Sequence, residues 1–446
     1  MATTFSEAIS RAPLRAFSVL TFAICMLVLV ADGVDAQLLG IVAPRVIEDF
    51  GVDRGIFGWA MMSALVGFGL GSWGGGWLGD AIGRRYSLAL AAAVFALATV
   101  GASWAQDVWQ LAAWRLLGGL GFGSAYANAI ALASEWLPDR WRSVAVTTLS
   151  VGTPAGGTVV GWIAPDLVAE QGWRGAFFVI GAATLLIVVV ILAALRDSPS
   201  FLLARGKPHE ARRAAARVLD GEVELVPERH HADTAGDGSI GVLHRANARL
   251  NVGVGLAFAA CAMCAYGILN WSTTFLTAKG FTLEQAGNAV SIGGLTSIAS
   301  SILAGLLVHR FGSKAVLATI SVLLLVLLIA FGFSVEQLPA TPNESERTLV
   351  VVLLGSTAAV FSAGIASMYA LMTYGYPPSC RSAGIGFGIF MSRVGAVAAS
   401  GLGGVLLEWG GESVVPFFAV LAVSAALVLA GALVVDRHVP PAAIRL

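Results

Sequence analysis

Charge is what this sequence has least of. Asp, Glu, Lys and Arg make up only 12 % of the 446 residues, the formal net charge is zero, and 57 % of the chain is hydrophobic. A soluble domain carries about 25 % charged residues, so this composition excludes one and describes a polytopic membrane protein. Cysteine is nearly absent as well. Cys25, Cys261 and Cys264 lie in apolar runs and Cys380 beside a loop, which excludes a disulfide framework, and Cys261-x-x-Cys264 reads as helix filler. All six histidines (His209, His230, His231, His244, His309 and His438) fall outside the apolar runs, so no buried imidazole is available to carry protons and carboxylates are left for that role. No nucleophile, metal cluster or acid–base pair is arranged for covalent chemistry. The chain is therefore not expected to be an enzyme, to hold a metal or cofactor, or to bind nucleic acid.

A helix needs about 20 apolar residues to cross the hydrocarbon core. Twelve runs qualify, near 16–42, 55–79, 86–105, 108–134, 143–167, 173–195, 250–276, 284–308, 315–334, 348–374, 383–407 and 413–435. The first is too long for a signal-peptide core and is expected to be retained as span one. Abundant glycine, 53 residues, suits helices that approach closely in lipid. Topology follows from the bases. With the N-terminus inside, twenty Lys and Arg fall in inner segments, including Arg11, Arg84, Arg85, Arg140, Arg381 and Arg445, against five outside (Arg45, Arg54, Arg174, Lys279 and Arg347). The positive-inside rule then puts both termini and the central loop in the cytoplasm. The expected fold class is all-α, with twelve transmembrane helices in two six-helix halves: residues 1–195, a cytoplasmic loop at 196–249, and residues 250–446. The loop, including the polar stretch 222–238, reads as a short amphipathic helix plus flexible linker, too small for a catalytic or sensory domain.

Against this background the buried charges stand out. Asp32 and Asp35 sit three apart in span one, on one helix face, inside apolar sequence that continues to Ala43. A charge at the bilayer centre costs about 2.5–3.5 kcal/mol on insertion scales, so the pair needs a partner or a task, and proton handling is the expected one. Arg115 in span four, antiparallel to span one, reaches a similar depth and is the natural counter-ion, either as part of the coupling or as a structural pair. Arg393 lies about twelve residues, or roughly 18 Å, into span eleven, near the midplane, with no acid of spans seven to twelve at its level. Its guanidinium fork matches a carboxylate bidentately, which points to an anionic substrate; a strut to Asp32 or Asp35 is the alternative. Phe390, one turn away, offers a ring face. Tyr126, Asn128, Tyr266 and Asn270 are candidates for contacts to ring substituents, Trp271 is either a cavity or an interfacial aromatic, and Glu135 is a further candidate for proton coupling, with loop bases such as Arg140 in reach.

A repeat divides the chain. Gly76-Trp77-Leu78-Gly79-Asp80-Ala81-Ile82-Gly83-Arg84-Arg85 recurs at Gly305 to Lys314, 229 residues on, with His309 where the first copy has its acid and Arg310 beside it. Two copies with the same orientation describe parallel six-helix halves around a midplane site. These residues resemble the loop signature G-x-x-x-D-(R/K)-x-G-(R/K)-(R/K) of the major facilitator superfamily, with departures at Ala81 and His309. The resemblance implies a gating loop built on Gly76, Asp80, Gly83, Arg84 and Arg85, with His309 and Arg310 as its second copy.

Within that superfamily the sequence is similar to the aromatic acid:proton symporters. The matching pieces are Asp32-Gly33-x-Asp35, Arg115 with Asn128, Ser134-Glu135-x-x-Pro138, Asp197-Ser198 to Gly206, Asn270-Trp271, and Tyr376-Pro377 with Arg381 and Arg393. Thr153-Pro154 departs from the exporter motif of span five and reads as a packing element. The resemblance implies an inner-membrane, monomeric, multi-pass importer that carries a small aromatic carboxylate with protons by alternating access. Another organic anion, a sugar or polyol, or drug export stays open from the residues alone.

Overall fold

The computed structural model describes residues 3–10, 12–149, 151–219, 225–226, 241–377 and 380–441. Arg11, His230, His231, Arg445 and, apart from Leu225 and Val226, the 222–238 stretch lie outside the described residues, as does the side chain of Arg381. The helices are α1 (Phe5–Ser10), α2 (Ala16–Phe50), α3 (Arg54–Ile82), α4 (Arg84–Ala102), α5 (Val108–Glu135), α6 (Asp139–Leu149), α7 (Gly152–Ala194), α8 (Pro199–Ala204), α9 (Pro208–Ala215), α10 (Ala248–Ala278), α11 (Leu283–Phe311), α12 (Ser313–Glu336), α13 (Glu344–Gly375), α14 (Arg381–Gly410) and α15 (Val415–Val434).

Eleven of these are long and apolar enough to cross a membrane. The twelfth crossing is inside α7. Its 43 residues are interrupted at Gly172, whose φ of 69° and ψ of 174° are not helical, so a single glycine joins spans five and six where a loop was expected. The N-terminal part of the fifth run is a separate helix, α6. His309, expected in a loop, lies in the last turn of α11 and is exposed.

Lipid gives helices no hydrophobic reason to associate, so close backbone approach carries the packing. Helices α3 and α5 interlock through glycines: a methyl group on Gly71 would meet the Leu120 carbonyl carbon at 2.7 Å, and one on Gly123 would meet that of Phe68 at 2.9 Å. Around this pair α2, α4 and α7 complete the first half, and α10 to α15 pack together as the second.

The repeat in the sequence is a repeat in the backbone. Gly83 ends the second crossing with φ 98° and ψ 146°, and Gly312 ends the eighth with φ 82° and ψ 156°. Few residues other than glycine adopt such angles, which is why these positions match across 229 residues. Each turn is braced differently. In the first half the buried Asp197 carboxylate accepts from the Arg85 backbone N–H at 3.0 Å. In the second, the C-terminal segment takes that place: Ser313 N–H donates to Val439 O at 3.0 Å and Val439 N–H to Ser313 Oγ at 2.8 Å. These two turns, α1, α8, α9 and the segment at Val439 lie on one side, here termed the basic face.

The halves meet toward the opposite face. Arg54 donates to Leu407 O at 3.4 Å, Gly55 N–H to Glu408 at 2.9 Å, Ser291 to Thr158 O at 2.9 Å, and Thr273 to Gly40 O. Gly58 fits against Gly401, where a methyl group would come within 2.8 Å of its carbonyl oxygen. Trp271 belongs to this seam. It is fully buried, edge-on to Phe57 at 6.3 Å, and donates to Ser400 O at 3.2 Å, so it is neither an interfacial nor a cavity residue. Among the described residues the four hydrogen bonds between the halves all lie toward that face, and Phe390, nearer the other end of α14, is 64 % exposed.

Candidate functional site

Helix α2 carries the two acids into the middle of the first half, and each finds a different environment. Asp35 is ion-paired: Arg115 Nη1 lies 2.6 Å from its Oδ2, Thr99 Oγ1 donates to Oδ1 at 2.8 Å, and Arg115 Nη2 reaches the Asp35 carbonyl at 3.4 Å. Both side chains are almost fully buried, and the Phe177 ring lies 5.9 Å from the guanidinium. Arg115 thus compensates Asp35. Asp32, 2 % exposed, is on a different partner, accepting from Thr153 Oγ1 at 3.0 Å. That contact exists because Gly33 lets α7 come against α2: a methyl group there would meet the Thr153 Cα at 2.8 Å. The Thr153-Pro154 segment is therefore a packing element that also supplies a hydroxyl to the acid.

Arg393 of α14 faces the acids across the two halves. Its charge and that of Arg115 both act on Asp32. Nη1 donates to the Tyr266 hydroxyl at 2.7 Å, and the guanidinium lies 3.9 Å over the Phe68 ring, a contact between the halves. Tyr126 and Tyr369 complete the electrostatic surroundings, and Tyr126 packs on Phe68 and Phe122 at ring distances of 5.9 and 6.0 Å. Among the described residues no carboxylate is within ion-pair distance of Arg393, so the strut to Asp32 or Asp35 is not formed, and its Nε is buried without a hydrogen-bond partner.

Three of the expected substrate contacts are placed elsewhere. Asn128 is fully buried between α5 and α3, donating to Gly75 O at 2.9 Å and Ser124 O at 2.8 Å while accepting from Arg84 at 3.4 Å. Asn270 donates to Ser400 Oγ at 2.7 Å within the second half. Both satisfy their amides between helices, which relieves their burial without facing a cavity. Phe390 is exposed, and the ring on Arg393 is that of Phe68. Glu135 is likewise remote from Asp32 and Asp35: its carboxylate is 3.4 Å from Arg84 Nε, and Arg84 rather than Arg140 is its partner.

Arg84 gathers the loop residues. It pairs with Asp80 at 2.6 Å and donates to Gly76 O at 3.3 Å, while the Arg85 side chain donates to Leu192 O. The second copy has no such network among the described residues: His309 and Arg310 are exposed, and Arg310 lies 5.2 Å over Phe311. Phe68, Thr99 and Thr153 are the functional neighbours that sequence reasoning missed. Only Thr153, beside Gly156-Gly157 in a helix built for close approach, left a trace in the sequence.

Twelve crossings in two like halves, with two acids and an arginine buried in the first and a half-buried arginine of the second facing them, define a multi-pass membrane transporter. Residues 25–339 and 260–445 match the model of the Major Facilitator Superfamily, and the chain belongs to that family. It is 28 % identical over 433 residues to a 4-hydroxybenzoate transporter of Acinetobacter baylyi, covering 94 % of this chain and 92 % of that one. It is 26 % identical over 414 residues to a gallate transporter of Pseudomonas putida, covering 90 % and 88 %. Among solved structures, a bacterial homologue of the human lysosomal transporter Spinster superposes with a TM-score of 0.73 at 14 % identity, covering 95 % and 97 %, which shows the shared fold.

Proposed function

We propose that this protein imports a small aromatic carboxylate together with protons by alternating access. The observation that carries the proposal is Arg393: a guanidinium between the halves, fixed by Tyr266 and stacked on Phe68, with its Nε edge unpartnered and, among the described residues, no carboxylate paired to it. A substrate carboxylate supplies the missing anion bidentately, and the rings of Phe68 and Tyr126 supply faces for an aromatic body. The names of the two relatives, transporters of hydroxylated benzoates, support the same substrate class.

Protons enter through the two acids in distinct roles. Protonating Asp35 removes the charge that holds Arg115, so the α2–α5 clamp loosens. Protonating Asp32 leaves Arg393 without a competing anion in its field, so substrate and proton together balance the buried charge. The loaded carrier then closes at the opposite face and opens toward the basic face as the Asp80–Arg84–Glu135 network there releases, residues 1–195 rocking against 250–446. The excess of Arg and Lys on the basic face makes it cytoplasmic in this scheme, in a bacterial inner membrane.

The test is proton-gradient-driven uptake of radiolabelled 4-hydroxybenzoate in proteoliposomes carrying wild type, Asp32→Asn and Arg393→Ala. Competition by benzoate-like acids and not by aliphatic acids, with uptake lost in both variants, is the expected result. Transport of an aliphatic acid or a sugar in its place would keep the fold and overturn the substrate class.

A further inference from the structure

A second charged cavity lies far from the transport site. About 750 Å³ in volume, it opens on the basic face between the start of α4, the end of α7 and the α8–α9 segment. Six cationic side chains line it, Arg85, Arg196, Arg205, Lys207, Arg213 and Arg217, against the acids Asp197 and Glu210. The acids are already engaged. Asp197 holds the Arg85 backbone N–H and Glu210 pairs with Lys207 at 3.2 Å. The guanidiniums instead bond main-chain carbonyls: Arg85 that of Leu192, Arg205 that of Ala81, and Arg196 those of Ala193 and Leu195 at 3.2 and 2.8 Å. Arg85 Nε is buried without a partner. Burial and then the like charges of Arg85 and Arg217 pull the Arg196 guanidinium below its ordinary range, so the cluster is repulsive as it stands. Nothing in the transport scheme uses it.

The rim of this cavity identifies the ligand. Tyr86, itself lining the cavity and half exposed, begins an apolar stripe on α4 that continues through Leu90 and Leu97, 49 % and 56 % exposed. Leu186 and Val189, 68 % and 63 % exposed, run up α7 beside it. Helices α4 and α7 are packed together there, Gly181 lying against Ala96 and Val100. A cationic pocket at the membrane boundary, continuous with an apolar groove between two crossings, matches a phosphate headgroup with its acyl chains. We propose that this cavity binds the headgroup of an anionic phospholipid, which ties the α8–α9 segment to the first half.

The test is native mass spectrometry of the full-length protein extracted from nanodiscs of equal phosphatidylglycerol and phosphatidylcholine. Each Lys or Arg near a membrane surface contributes about 1 kcal/mol toward an anionic lipid, so wild type should keep phosphatidylglycerol in at least about tenfold excess. The double variant Arg196→Gln/Arg217→Gln should bring that ratio close to one, while Arg196→Lys retains it. Equal retention of both lipids by wild type, or an unchanged preference in the double variant, would overturn the proposal. Inorganic phosphate is the second arm: if it displaces the lipid at millimolar concentration, or stabilises the protein in lipid-free detergent as strongly, a soluble phosphate is the ligand and the lipid assignment falls.

Discussion

Asp35 and Arg115 are a nearly closed unit, each the other's charge partner at 7 % and 5 % side-chain exposure, and removing one leaves the other uncompensated. Arg115→Leu is expected to destabilise the detergent-solubilised protein by about 3–5 kcal/mol. The double variant Asp35→Asn/Arg115→Gln should recover much of that loss, and denaturant unfolding of the set checks both. Phe68 is tied to Arg393 by a desolvated cation–π contact worth about 2 kcal/mol, so Phe68→Leu should raise the KM for the transported substrate by roughly tenfold or more with little change in protein abundance. The four charges were legible in the sequence because a charge in an apolar run has no inexpensive place to go. Phe68 and Thr99 were not, since one more phenylalanine or threonine in such a helix raises no energetic question, and Thr153 was legible only as packing. Asn128 and Asn270 show the limit of that reasoning. A buried amide announces that it needs partners, yet a neighbouring helix satisfies it as well as a cavity does, and spacing along one chain does not tell which.

The elements were legible to the extent that each is a long apolar run with its own ends. The junction inside α7 was not, because Gln171-Gly172-Trp173 reads as a loop, whereas a single glycine at positive φ suffices to turn the chain. The two repeat turns were readable by spelling, their bracing was not. Gly83→Ala forces alanine into a left-handed backbone and puts its methyl within 2.5 Å of Asp197 Oδ1, so a loss of at least about 1–2 kcal/mol is expected, measurable as a lower Tm. On the C-terminal strap, His438 lies beside Ser313, 3.1 Å from its hydroxyl, and Ala432 O, 3.0 Å away. Burial, aided by Lys314, holds its imidazole below the usual histidine range. A depressed folded-state value means stability that is present above the unfolded value near pH 6.5 and lost as the pH falls through the folded one. Wild type should therefore lose Tm between pH 7.5 and 5 to a degree that His438→Gln does not share.

At the scale of the whole molecule, the halves touch through small residues toward one face. Gly58→Trp would wedge the closed seam, where even a methyl group comes within 2.8 Å of Gly401 O. The expected outcome is a shift toward the opposite opening, read as reduced labelling of a Phe390→Cys reporter by a maleimide that reaches only the basic face; unchanged labelling would mean that the seam does not control access. The native thiols Cys25, Cys261, Cys264 and Cys380 are buried, so the reporter stands clear of them. The two repeat turns differ in what holds them. That of Gly83 rests on carboxylates and guanidiniums, with Asp80 71 % exposed, whereas that of Gly312 rests on neutral bonds between Ser313 and Val439. Screening distances shrink from about 10 Å at 0.1 M salt to about 3 Å at 1 M. Ionic strength therefore acts on one half of a carrier whose halves share a backbone plan: concentrated salt speeds amide exchange around Gly83 and leaves Gly312 as it was.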